Sequence, residues 1–193
     1  MKSERRVEKL SRALRYSQPD LTVVLENIHD PHNVSAVLRT CDAVGIRTVN
    51  LLYTAESFPK IGRKSSASAN KWVARKNFRS VKTCYDSLRA DGFIIAASVV
   101  GEKSVSLYEM DLRQKIALVF GNEHRGVTED AASFADLRFQ IPMYGMVQSL
   151  NVSVACAITL YEALRQRMTS GDHGRQKISK EELQRLLDEW IKK

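Results

Sequence analysis

The stretch that decides the fold is Leu21–Tyr53, LTVVLENIHDPHNVSAVLRTCDAVGIRTVNLLY. It opens with an apolar, β-branched run, Leu21–Glu26, which reads as a strand. The polar loop N27-I-H-D-P-H-N33 follows, broken by Pro31, and Asn33 or a neighbour is placed to cap a helix. Val34, Val37, Leu38, Cys41 and Val44 recur at helical spacing, and Gly45 ends the helix. Arg47–Tyr53 is again strand-like. Strand, helix and strand joined this tightly make the βαβ unit of a parallel sheet.

The pattern continues outward from this unit. Residues 54–71 form a long polar loop in which Lys60, Arg63, Lys64 and Lys71 interleave with Ser and Gly. Trp72–Phe78 reads as a short strand, Ser80–Ala90 as a helix and Gly92–Val99 as a buried strand. Residues 100–114 make a connection with a short helix near Leu107–Met110. Lys115–Phe120 is another buried strand and delivers the chain into G121-N-E-H-R-G126, before a helix over Thr128–Phe134. Leu137–Ile141 is the last strand. It enters Ile141–Ala155, IPMYGMVQSLNVSVA, an apolar loop that is expected to be buried and whose backbone groups then need partners. A long helix runs from Asn151 to Met168. The whole reads as a doubly wound α/β body over 19–168.

Two extensions flank that body. Residues 1–18 carry an amphipathic helix with Val7, Leu10 and Leu14 on one side and Arg5, Arg6, Lys9, Arg12 and Arg15 on the rest. A solvated helix and a basic clamp for a phosphate backbone both fit it. Residues 169–193 comprise a flexible linker, Thr169–Gln176, and a helix opened by a Ser179/Glu182 capping box. Its stripe Leu183, Leu186, Leu187, Trp190 and Ile191 must pack on this chain or on a second copy.

Bulk properties narrow the function. At 193 residues the chain is most simply one domain with a real core. No apolar run is long enough to span a bilayer, and the charged N-terminus does not read as a signal peptide, so a cytoplasmic protein is expected. Cys41, Cys84 and Cys156 have no metal or redox spacing. The net charge of +8 favours a polyanionic partner, most commonly nucleic acid. Arg5, Arg6, Arg12, Arg63, Lys64, Arg165 and Arg167 are the candidate RNA contacts. His29 and His32 lack a third ligand, so no metal is expected. His124 can orient its loop or simply face solvent. G-x-G-x-x-G and Walker A signatures are both missing, which argues against a nucleotide-dependent oxidoreductase.

Three segments, N33-V-S-A-V-L-R39-T, F120-G-N-E-H-R-G126 and I141-P-M-Y-G-M-V-Q-S149-L-N151-V-S-V-A, stand in this order, each at the end of a strand. Together they resemble the three motifs of the SpoU branch of SPOUT methyltransferases, over about Leu21 to Arg167. Arg15–Gly45 is similar to the tRNA (guanosine-2′-O-)-methyltransferases of that branch. The resemblance implies a deep trefoil knot in the C-terminal part of the sheet, a feature no bottom-up argument would propose. It also implies S-adenosylmethionine bound there largely by main-chain groups, near Ala97, Ser98, Gly121, Ile141, Met143, Ser149 and Leu150. A homodimer with its active site at the subunit interface is expected, acting on a tRNA D-loop guanosine, nucleotide 18. Related substrates in the branch are rRNA and the tRNA anticodon loop; a non-catalytic RNA-binding protein is the more remote alternative. By motif position Arg39 meets the ribose 2′-hydroxyl, Asn33 and Glu123 order the site, and Ser149 and Asn151 hold the target nucleotide or Arg39. Since arginine stays a cation, stabilising a developing alkoxide or fixing a phosphate is as good a role for Arg39 as that of a literal base.

Overall fold

The computed structural model describes residues 3–59 and 69–193. Seven strands form one parallel sheet: β1 (Leu21–Glu26), β2 (Thr48–Leu52), β3 (Ala74–Phe78), β4 (Ile94–Ser98), β5 (Val105–Ser106), β6 (Ile116–Phe120) and β7 (Leu137–Gln140), in the order β3-β2-β1-β6-β4-β7-β5. Six α-helices accompany it among the described residues: α1 (Glu4–Arg15), α2 (Pro31–Ala43), α3 (Val81–Ala90), α4 (Glu129–Ser133), α5 (Val152–Thr169) and α6 (Lys180–Lys192). None of them is long and apolar enough to cross a membrane.

The sheet is covered on both faces, and strand alternation sorts its side chains. On one face Leu21, Val23 and Leu25 of β1 and Ile116, Leu118 and Phe120 of β6 pack with Val34, Val37, Leu38 and Cys41 of α2 and Cys156 and Leu160 of α5. On the other, Val24, Ala117, Val119, Ile95 and Ala97 pack with Val81, Cys84, Tyr85 and Leu88 of α3. Each fully buried Val, Leu or Ile contributes on the order of 1.5–3 kcal/mol. Burial on both faces explains why β6 is an unbroken apolar run in the sequence and why β1 departs from one only at Thr22 and Glu26.

Several expectations are corrected in detail. β3 begins at Ala74 rather than Trp72, because Ala69–Lys71 forms a turn of 3-10 helix that Trp72 and Val73 continue. The two-residue strand β5 pairs with β7 at the sheet edge inside the connection 100–114. Asn33 is not the cap of α2. Asp30 is, accepting from the His32 N–H at 2.8 Å, with Pro31 in the first turn, where its missing N–H costs nothing. The apolar loop after β7 is exposed rather than buried: Tyr144 is 97% and Met146 99% exposed.

The terminal helices pack on each other within one chain. Leu10 and Leu14 of α1 meet Trp190 of α6, with Leu183, Leu186, Leu187 and Trp72 alongside. The segment between α5 and α6 is tied down rather than free. The Asp172 and His173 N–H groups donate to the Arg167 carbonyl, and Lys177 bridges Asp20 and Asp172.

Candidate active site

In a parallel sheet ligands gather at the carboxyl ends of the strands. Here the ends of β4, β6 and β7 and the start of α5 surround a cleft of about 370 Å³. Its walls are apolar at Phe120, Val127, Ile141, Met143, Leu150 and Val152, with Ser98, Asn122, Gln140 and Ser149 supplying polar edges.

Local chemistry builds the wall after β6. The chain turns back on itself, with an antiparallel bridge between Asn122 and Gly126 and the Gly126 N–H donating to the Asn122 carbonyl at 2.8 Å. Gly121 sits inside this turn. A Cβ on it would lie 2.1 Å from the Gly126 carbonyl carbon and the Val127 nitrogen, so only glycine fits. Asn122 Oδ1 accepts from the His124 and Arg125 N–H groups at 3.0 and 3.3 Å.

Glu123 reaches across to the loop before α2. Its carboxylate accepts from the His29 N–H at 3.0 Å, the Asp30 N–H at 3.3 Å and Asn33 Nδ2 at 2.8 Å. Burial alone would raise its pKa, but the bonds from Asn33, His29 and Asp30 outweigh that and hold it below the ordinary glutamate value. Asn33 Oδ1 in turn accepts from Asn151 Nδ2 at 3.1 Å. Asn151 is the N-cap of α5, its Oδ1 accepting from the Ser153 and Val154 N–H groups. Glu123, Asn33 and Asn151 thus form one hydrogen-bonded chain across the three motif segments, drawn from residues 118 positions apart at their extremes.

Of the residues expected at the cofactor, Ser98, Gly121, Ile141, Met143, Ser149 and Leu150 line the cleft. Ala97 does not: alternation along β4 turns it to the α3 face, where it is fully buried. Val100, Asn122, Arg125, Gln140 and Ala155 also line the cleft and were not singled out from sequence, and His124, expected to orient its loop or face solvent, lines it as well. Gly121 and Gly126 flank three of them and were the available signal. Arg39 is exposed on α2, does not line the cleft, and has no side-chain partner among the described residues.

The segment leading into α5 has an unusual property. Residues 142–150 make no hydrogen bond with the other described residues. Their backbone donors and acceptors, beside apolar side chains, are available to something the single chain lacks. Among the described residues no three His, Cys, Asp or Glu side chains cluster to hold a metal ion.

The basic residues divide sharply. Arg5, Arg6 and Arg12 of α1 are exposed, without ion pairs among the described residues. Arg63 and Lys64 lie outside the described residues. Arg165 is 64% exposed and pairs with Glu162 through two bonds of 2.8 Å. Arg167 corrects the sequence expectation: it is fully buried and cannot meet an RNA phosphate. Its guanidinium donates to the carbonyls of Leu112, Asp20 and Gln114, to Gln18 Oε1 and to Asp20 Oδ1. Helical periodicity explains this, because Cys156, Leu160, Ala163 and Arg167 share the inner side of α5.

Comparison with known proteins accords with this geometry. A tRNA (guanosine(18)-2′-O)-methyltransferase of Thermus thermophilus is 41% identical over 192 residues, spanning 100% of this chain and 98% of that protein. The crystal structure of the A. aeolicus TrmH/SpoU tRNA modifying enzyme matches with a TM-score of 0.91 at 38% identity, covering 98% of this chain and 96% of that one. An AdoMet-bound rRNA methyltransferase from Sinorhizobium meliloti matches with a TM-score of 0.65 at 27% identity, over 79% of this chain and 59% of that chain. The model of the SpoU rRNA Methylase family covers residues 20–161. Most of the chain, including all three segments joined by Glu123, Asn33 and Asn151, falls within that span, and the chain belongs to the SpoU methylase family.

Proposed function

We propose that this protein transfers a methyl group from S-adenosylmethionine to the ribose 2′-hydroxyl of guanosine 18 in the tRNA D-loop, acting as a homodimer in the cytoplasm. The observation that carries the reading is the hydrogen-bonded chain Glu123–Asn33–Asn151, which ties the three motif segments together beside a cleft walled by the second and third of them and by the end of β4. The full-length similarity to a tRNA (guanosine(18)-2′-O)-methyltransferase supplies the substrate.

The cleft suits the cofactor. Its volume falls in the range of small-molecule sites. Gly121 lets the turn that forms the wall after β6 fold closely back on itself, and the unbonded backbone of 142–150 offers polar groups beside apolar walls. Ser98, Gly121, Ile141, Met143, Ser149 and Leu150 would hold it, and the chain over this region would be tied in the trefoil knot of the wider SPOUT group. When bound, S-adenosylmethionine supplies a methyl group on a positively charged sulfur, activated for in-line attack by a hydroxyl.

The protein's task is then alignment and charge. Glu123, kept ionised by its three donors, fixes the loop 29–33 and Asn33. Asn33 and Asn151 hold α2 and α5 in register around the acceptor. Arg39, a cation, either offsets the charge that builds on the reacting oxygen as its proton passes to solvent, or clamps the neighbouring phosphate and so fixes the ribose. Ser149 at the cleft rim holds the nucleotide or Arg39.

A single chain leaves this site incomplete, and that favours the dimer. Arg39 stands off the cleft, and Tyr144, Met146 and Val147 protrude. Val154, Tyr161 and Met168 form an exposed apolar stripe along α5 at a spacing of seven. A second copy over this face would cover the stripe and bring Arg39 to the site. Residues 1–18 and 169–193 serve as extensions of the methyltransferase body 19–168, with Arg5, Arg6, Arg12 and Arg165 gripping tRNA phosphates.

Unmodified tRNA and rRNA transcripts incubated with labelled S-adenosylmethionine test the proposal, the product being mapped by resistance to alkaline cleavage. One protected D-loop guanosine is expected, and Arg39→Ala is expected to bind cofactor normally and transfer nothing. Methylation of rRNA alone removes the tRNA assignment. Wild-type transfer by Arg39→Ala removes both roles given to that residue.

A further inference from the structure

Among the described residues Asn27, at the end of β1, is the one non-glycine with a positive φ, 49°. It is 3% exposed. Asparagine tolerates this left-handed conformation better than most side chains; its N–H still donates to the Leu52 carbonyl of β2 at 2.9 Å, while its side chain and carbonyl turn toward loops. Its Oδ1 accepts from the N–H groups of Thr54, Ala55 and Glu56 at 3.0, 3.2 and 3.3 Å, and its Nδ2 donates to Thr54 Oγ1 at 3.1 Å. Its carbonyl accepts from Asn122 Nδ2 at 2.7 Å. That same Asn122 holds the His124 and Arg125 N–H groups. Glu56 closes the triangle, binding Arg125 at 2.9 Å.

Two loops from opposite sides of β1 are therefore locked together through one residue. The loop after β6 is a wall of the cleft, and His124 and Arg125 line it. We propose that Asn27 is a positioning residue for cofactor binding: its side chain fixes the loop after β2, and its carbonyl fixes Asn122, so that the wall 121–126 is preformed. The inference rests on the reading of the cleft as the S-adenosylmethionine site. Preformation matters because ordering a loop at the moment of binding weakens the apparent affinity.

The test uses calorimetric titration of the full chain with S-adenosylmethionine, together with amide hydrogen exchange of the cofactor-free protein. Asn27→Gly keeps the backbone conformation accessible and removes the four side-chain bonds. It is expected to raise the Kd about tenfold, the scale of one net hydrogen bond. The amides of Thr54, Ala55, Glu56, His124 and Arg125 should exchange faster without any cofactor present. Asn27→Asp retains the acceptor and tolerates the same φ, so its Kd should return to within about twofold of wild type. Leu88→Ala, buried on the α3 face away from the cleft, should lower the Tm and leave the Kd unchanged. Wild-type affinity in Asn27→Gly, with only a lowered Tm, overturns the inference and makes Asn27 a structural residue. Absence of cofactor binding by the wild type overturns the reading of the cleft instead, a result distinguishable because exchange in the cofactor-free protein reports the loops directly.

Discussion

Replacing Arg167 by alanine separates a structural arginine from an RNA-binding one. The side chain is fully buried and makes five hydrogen bonds, including one of 2.7 Å to Asp20 Oδ1. Alanine leaves the carbonyls of Leu112 and Gln114 facing a void, and Asp20 with Lys177 as its remaining partner at 2.6 Å. Breaking a buried ion pair from one side costs about 3–5 kcal/mol. Lys177 still neutralises Asp20, so the lower end of that range applies. For a chain of this size each kcal/mol moves the Tm by about 2–4 °C, so a fall of roughly 6–12 °C is expected. The effect should shrink in acid. Burial raises the Asp20 pKa, but Lys177 and Arg167 outweigh it and bring the folded value below the unfolded one. The stability Asp20 contributes is therefore complete above the unfolded value, about 3.9, and is lost as pH falls through the folded one. Without Arg167 the folded value rises toward the unfolded one, so the variant loses less stability than the wild type as pH falls and the gap between them narrows. Thermal and acid unfolding by circular dichroism measure both effects, and tRNA binding across a salt series is measured alongside, at a temperature where the variant is folded. A Tm within about 2 °C of wild type, with a flatter salt dependence of tRNA binding, would refute the reasoning and restore Arg167 as a phosphate contact.

Other outcomes follow from the same packing. Gly121→Ala forces a Cβ to 2.1 Å from backbone; overpacking of this kind costs about 1–3 kcal/mol or opens the loop, and calorimetry should find cofactor binding lost, wild-type affinity counting against the cleft assignment. In the intact protein the Glu123 carboxyl, followed by carbon-13 NMR, should titrate below the ordinary glutamate value, because its hydrogen bonds outweigh burial. The site's order then persists as pH falls through the usual carboxylate range, and a midpoint at or above the ordinary value contradicts it. Tyr161→Asp puts a charge in the exposed stripe of α5 and should convert a sedimenting dimer to monomer with loss of transfer; an unchanged dimer means the second copy sits elsewhere. Arg165→Ala should leave the Tm nearly unchanged and lower the salt slope of tRNA binding by about 0.9, the value for one phosphate.

The order of strands and helices was legible in the sequence because burial on two faces writes unbroken apolar runs, and helices between them write a period of 3.6. Leu21–Glu26, Lys115–Phe120 and the helix behind Asn151 needed nothing more. The three motif segments were also legible, since Gly121, Glu123 and Asn151 are odd residues for plain connections. What the sequence by itself could not decide were facts of packing between distant segments. Arg165 and Arg167 read alike as two basic residues at a helix end, yet one is 64% exposed and the other is enclosed by Gln18, Asp20, Leu112 and Gln114, all from other parts of the chain. Asn33 or a neighbour read as the cap of α2, and the structure gives that role to Asp30, leaving the Asn33 amide to Glu123 and Asn151. Ala97 and Ser98 are neighbours in sequence, but alternation sends one to the α3 face and the other to the cleft. The apolar loop after β7 was expected to be buried by its composition, and a single chain leaves it exposed, because composition states that a surface needs a partner and only the assembled structure determines which surface provides it.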